Sequence, residues 1–106
     1  MNSDEYVVFL TSVLIKIENA INLLEHKPAK HIPAYHKMLG VQQKLAGLDC
    51  DYRSKLFSQL IVTRGIISYL TNGQYENALV QIMNLKGDLI NICLEIKNEK
   101  DTVKKV

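Results

Sequence analysis

Asn72-Gly-Gln-Tyr-Glu-Asn-Ala-Leu79 separates two long amphipathic stretches, and its reading decides the fold. Asn-Gly is a strong helix stop, because glycine enters the left-handed conformation at a helix end with little steric cost. Beyond it Tyr75, Ala78, Leu79, Ile82, Leu85, Leu89, Cys93 and Ile96 recur at steps of three and four. That spacing lines one face of a 3.6-residue helix, so the segment predicts a helical hairpin. Asn84 to Asp88 contains Gly87, which weakens a helix interior, so the last helix is expected to be continuous or kinked there. From Asn98 the pattern lapses into a charged, frayed tail over residues 99–106, leaving residues 1–98 as one helical domain.

Working back from Asn72, Asp49 or Asp51 is placed to cap a third helix that runs to Leu70 with the seam Leu56, Leu60, Thr63, Ile67 and Leu70. Phe57, Ile61 and Ile66 flank that seam, and Gly65 offers room for close backbone approach. A second helix covers about Pro33 to Ala46, with Tyr35, Met38, Leu39, Gln42 and Leu45 facing inward and Gly47-Leu48 as its end. Gly40 within it is suited to a close helix crossing. Lys27-Pro28 to Pro33 forms the preceding loop, since each proline disfavours helix in the residue before it. The first helix starts at Ser3, whose hydroxyl is suited to capping, and runs to about Glu25. Its stripe is Tyr6, Leu10, Val13, Ile17, Ile21 and Leu24, widened by Phe9, Leu14 and Ala20. The expected architecture is all-α: an up-and-down antiparallel bundle of four helices, or five if one divides.

Composition agrees. Of 106 residues 47% are hydrophobic, with five Gly and two Pro, which favours helices over a turn-rich β fold. A net charge of +2 is too small and too dispersed for a nucleic-acid binder, which gathers Lys and Arg to neutralise phosphates. Lys30, Lys37 and Lys44 recur every seven residues, and Lys37 and Lys44 share a helix face that suits an acidic partner or anionic lipid. The bland reading of that face is ordinary solvation. The two cysteines read as reduced thiols, and the acidic start Met1-Asn-Ser-Asp-Glu5 is unlike a secretory leader. Tyr6 to Ile15, the longest uncharged stretch of the first helix, is shorter than the ~20 residues that span a bilayer. A soluble, cytoplasmic chain without a transmembrane segment is expected.

Candidate chemistry is sparse. His26, His31 and His36 recur every five residues, which does not place them on one helix face, and neither Cys-x-x-Cys nor His-Glu-x-x-His is present. Cys50 lies between Asp49 and Asp51, whose carboxylates disfavour the reactive thiolate, and Cys93 falls on an apolar stripe as a small hydrophobe. Glu18, Glu25, Glu76 and Glu95 are scattered over solvent-facing or terminal positions, and no phosphate-binding glycine loop or Gly-x-Ser-x-Gly elbow occurs. The expectation is a non-enzymatic chain without metal or cofactor.

From Leu45 onward the layout resembles the helical C-terminal domain shared by the outer-cage subunit of COPII transport vesicles and the steroid receptor RNA activator protein. The resemblance rests on Lys44-Leu45-Ala-Gly47, the helix from Asp51 to Leu70, and Tyr75-Glu76-Asn77-Ala78-Leu79 with Leu85 seven residues past the alanine. Phe9-Leu10 through Ile21 is similar to that domain's first helix, so the likeness extends over residues 5–97. The family's final helix carries a Trp and a Gly-Val-Lys segment; this chain has no Trp and reads Glu95-Ile96-Lys97 there. The resemblance implies that Tyr75 and Ala78 are packing residues, the ring filling the corner between the last two helices. It implies a protein–protein role in coat assembly and ER-to-Golgi traffic, peripheral to ER-derived membranes, with coat subunits as partners.

Two other readings fit the same length and pattern. Bacteriocin immunity proteins are similar in size, slight basicity and helix number, and act by binding a membrane receptor complex. A homo-oligomeric bundle is suggested by Val7, Val8, Ile15, Val62 and Ile92, which lie off the main seams. Val7, Val8, Ile15 and Val62, with Lys37 and Lys44, are the expected partner surface.

Overall fold

The computed structural model describes residues 1–104, without the side chains of Cys50 and residues 100–104. Among the described residues the chain forms five helices and no strand: α1 (Ser3–Glu25), α2 (His31–Ala46), α3 (Cys50–Lys55), α4 (Phe57–Thr71) and α5 (Tyr75–Lys104). The all-α bundle is therefore as the hydrophobic spacing requires. α1 packs on α2 and α5, and α4 packs on α2 and α5, so the four long helices close a ring in chain order.

Side-chain pairs set the directions. Lys16 of α1 lies beside Gly40 of α2 while Phe9 lies beside Lys44, so residue numbers rise on one helix as they fall on the other. The first turn of α2 borders Leu70 and Thr71 at the end of α4. Glu18 of α1 meets Lys86 of α5, whereas Val7 meets Ile96. Neighbours are antiparallel throughout, in an elongated body of 52 × 26 × 17 Å.

Each helix end has an identifiable cause. Asn2, not Ser3, caps α1: its Oδ1 accepts the Glu5 N–H at 2.8 Å, satisfying one of the amides a helix start leaves unpaired. α4 ends in a Schellman closure. Gly73 has φ 76°, its N–H donates to the Leu70 carbonyl at 3.3 Å, and the Gln74 N–H reaches back to the Tyr69 carbonyl at 2.8 Å. The Gln74 carbonyl then accepts the Ala78 N–H, so α5 begins one residue after α4 has closed.

The core is one cluster of apolar side chains. From α1 come Tyr6, Leu10, Val13, Ile17, Ala20, Ile21 and Leu24, which is the expected stripe with Ala20 fully included. α5 contributes Ala78, Ile82, Leu85, Leu89 and Cys93. Burying each Leu or Ile stabilises the fold by about 1.5–3 kcal/mol, so these rows hold the ring closed.

Several further expectations are corrected. The third helix is two, because Leu56 leaves α geometry (φ −108°, ψ 18°) between α3 and α4. Neither Gly nor Pro marks that break; it accompanies the docking of Tyr52 on Tyr6 and the burial of Leu56 in the core. α2 starts at His31 and is turned from the expected face: Ala34 and Val41 are buried with Met38 and Leu45, while Tyr35, Leu39 and Gln42 are half-buried. On α4 Ile66 is buried and Ile67 only half so. Gly65 makes no close crossing, since a Cβ there would meet nothing within 4 Å, and Gly40 faces only the flexible Lys16 side chain.

α5 is continuous through Gly87 and past Asn98 to Lys104. The tail expected over 99–106 falls outside the described residues at 105–106.

Candidate interaction surface

In a ring of four helices each rod covers one stripe and leaves its far side bare, which decides what chemistry the surface can offer. On α5 the bare side is apolar. Val80 (56% exposed), Met83 (45%), Ile90 (38%) and Leu94 (51%) are separated by three, seven and four residues, with Gly87 filling the missing step. These positions share one face of the helix, rotated away from Ile82, Leu85 and Leu89. Glu76 lies one step before this row and Lys97 one step after it, both exposed.

The edge of the row facing α1 is mixed, with Ser3, Asp4 and the Glu18–Lys86 pair beside its apolar residues. Val7 and Val8 border a shallow cleft with Ile96 and Lys97, and Val7 and Leu14 are half-buried along the same helix. Glu18 Oε2 and Lys86 Nζ, 2.5 Å apart, tie the two helices midway. Both side chains are partly exposed, so this pair adds little stability.

The residues expected to meet a partner are dispersed. Val8 (69% exposed) and Ile15 (58%) stand on the outer side of α1. Val62 and Ile92 are half-buried against the core. Lys37 is half-buried, and the Lys44 ammonium lies 6.0 Å from the centre of the Phe9 ring, a packing contact between α2 and α1. Tyr75, Ala78, Leu79 and Leu85 serve packing. Ala78 and Leu85 are fully buried and Leu79 is half-buried, while the Tyr75 ring packs against the core and stacks on His31 of α2 at 4.7 Å and 24°.

The row on α5 was missed by sequence reasoning, although a signal existed: Val80, Met83, Ile90 and Leu94 follow the same step pattern as the inward stripe.

The histidines do not converge. His26 Nδ1 lies 3.1 Å from the Pro28 carbonyl, His31 stacks on Tyr75, and the His36 ring meets Tyr35 edge-on. Among the described residues no three His, Cys, Asp or Glu side chains gather within reach of one metal ion.

A cleft of about 330 Å³ at the other side of α5 is lined by Ser3, Tyr6, Tyr52, Lys55 and Glu95, among others. Its phenols are engaged in packing: the Tyr6 and Tyr52 rings lie 4.8 Å apart, Lys55 Nζ sits 5.1 Å from the Tyr52 ring centre, and the Tyr52 hydroxyl donates to the Met1 carbonyl. Burial pushes the Tyr6 phenol up, with smaller contributions from Cys93 and Tyr52. Burial likewise raises the Cys93 thiol, and the Lys97 ammonium pulls it partly back. Both groups are therefore neutral near pH 7, a state that suits packing and not nucleophilic attack.

α1 is also long and apolar enough to cross a membrane, with a mean hydropathy of 1.7 over its most apolar 18 residues. The count of uncharged residues from Tyr6 to Ile15 missed this, because Lys16 and Glu18 interrupt the run without making the helix polar. Within the bundle a third of that window is buried. No family model, curated protein or solved structure matches this chain.

Proposed function

We propose that the chain is a non-enzymatic protein–protein interaction domain. The observation that carries this reading is the second apolar row on α5, with Val8 and Ile15 on α1, left bare after the core is complete. Four exposed apolar residues in one helical row are characteristic of a docking face, whereas isolated exposed apolar residues are ordinary.

The more specific role we attach to it is that of a coat-type subunit in ER-to-Golgi vesicle transport, on the cytoplasmic side of ER-derived membranes. Its support is the resemblance around Tyr75 to Leu79, together with the burial of Ala78 and Leu85. A second reading, an immunity protein that binds a membrane receptor complex, draws on the apolar character of α1. Affinity purification from the native cell separates them. Recovery of coat subunits supports the first, and recovery of a sugar-transporter complex supports the second. The interaction reading itself fails if changing Val80, Met83, Ile90 and Leu94 to Gln leaves the recovered set of proteins unaltered.

A further inference from the structure

The bare row of α5 reads Glu76, Val80, Met83, Gly87, Ile90, Leu94, Lys97, and its order is complementary to its own reverse. A two-fold axis through Gly87 sets Val80 of one copy opposite Leu94 of the other and Met83 opposite Ile90. The same axis brings Glu76 of each copy to Lys97 of its mate, making two opposite-charge contacts at the ends of the contact. Parallel pairing would instead place Glu76 against Glu76 and Lys97 against Lys97. From this complementarity we propose that the outer face of α5 docks a second copy of this chain, antiparallel, with the helices crossing at Gly87.

Three features support that occupant. A symmetric, self-complementary patch closes on itself as a dimer and leaves no free copy of the surface to propagate. Gly87 presents no side chain, and a Cβ there would meet nothing within 4 Å, so a neighbouring helix is free to approach the backbone at the crossing. The face from Glu76 to Lys97 is about 30 Å long at helical rise, and with the adjoining edge of α1 it is about 20 Å wide. It therefore offers about 600 Å² per copy, or about 1,200 Å² for the pair, at the lower end of specific interfaces. Burial of two Met83 and Ile90 pairs around the crossing supplies the apolar centre, and the charged contacts form the rim and choose the direction.

This inference rests on the interaction reading and names its partner. Sedimentation equilibrium of the full chain from micromolar to millimolar concentration reads it directly. A mass rising from 12.1 kDa to twice that value is expected. Met83→Gln with Ile90→Gln should abolish the rise while far-UV circular dichroism and urea midpoint, measured at the lowest concentration where the parent is also single, stay near those of the parent, since both side chains are partly exposed. Glu76→Lys is expected to weaken association about tenfold, and adding Lys97→Glu should restore it to within about threefold. A parallel dimer is indifferent to Glu76→Lys, because like charges meet before and after. A mass constant at one chain, or a dimer unmoved by these variants, overturns the proposal. A chain that stays monomeric yet recovers another protein through the Val80–Leu94 row refutes the second copy alone; loss of both refutes the interaction reading as well.

Discussion

The two long faces of α5 are made of similar residues and meet opposite surroundings. Ile82, Leu85 and Leu89 are sealed in the core, while Val80, Met83, Ile90 and Leu94 are about half exposed to solvent. Spacing alone does not distinguish them, since each row advances by the helical repeat. The difference lies in what is across from them: α1 and α4 cover the first row, and among the described residues no helix packs over the second. Hydrophobic periodicity therefore shows that a face is fit for contact without showing whether the contact is made inside the chain.

The largest difference between the faces should appear on truncation. Leu85→Ala is expected to cost about 2–5 kcal/mol in urea unfolding, because it removes buried methyls and leaves a cavity. A loss below about 1 kcal/mol would mean that the inward row is less tightly packed than its burial implies. The two glycines bordering this contrast should respond with opposite signs. Gly73→Ala forces a β-carbon into a left-handed position at φ 76° and should destabilise by about 1–2 kcal/mol. Gly87→Ala lies in open helix and should stabilise the monomer by about 0.8–1.0 kcal/mol through helix propensity.

Alkaline titration tests the inward row at its far end. Tyr6 and Cys93 have raised pKa values in the folded chain, so the unfolded chain releases their protons first. Stability from this source is full below the ordinary thiol value of 9.0 and is lost as pH rises through the folded values. Urea midpoints measured across that range should fall for the parent and fall less for Tyr6→Phe. The smallest effect belongs to the outer row: Met83→Gln or Leu94→Gln should change monomer stability by no more than about 0.5 kcal/mol, measured at protein concentrations that keep the chain single. A cost of several kcal/mol there would show that this face is part of the core after all.

Much of the fold was legible because strong local signals agreed with the tertiary outcome. The α1 stripe, the Asn72-Gly73 stop and the inward row of α5 all appear at the expected residues. α2 and α4 were harder. Adjacent apolar pairs, Ile61-Val62 and Ile66-Ile67 on α4, let the helix rotate by nearly a third of a turn without losing an apolar face, so the neighbouring helices decide. On α2 the small Ala34 and Val41 are buried, a choice set by the space left beside α1. The break at Leu56 has no local code. The outer row of α5 was readable in principle but was eclipsed by the cleaner stripe behind it.

Ring order has a kinetic consequence. Among the described residues three of the four long-helix contacts join neighbours along the chain, and α1 with α5 unites the helices furthest apart in sequence. The entropy of closing a large loop is therefore concentrated in one event, while the other pairings form from local encounters.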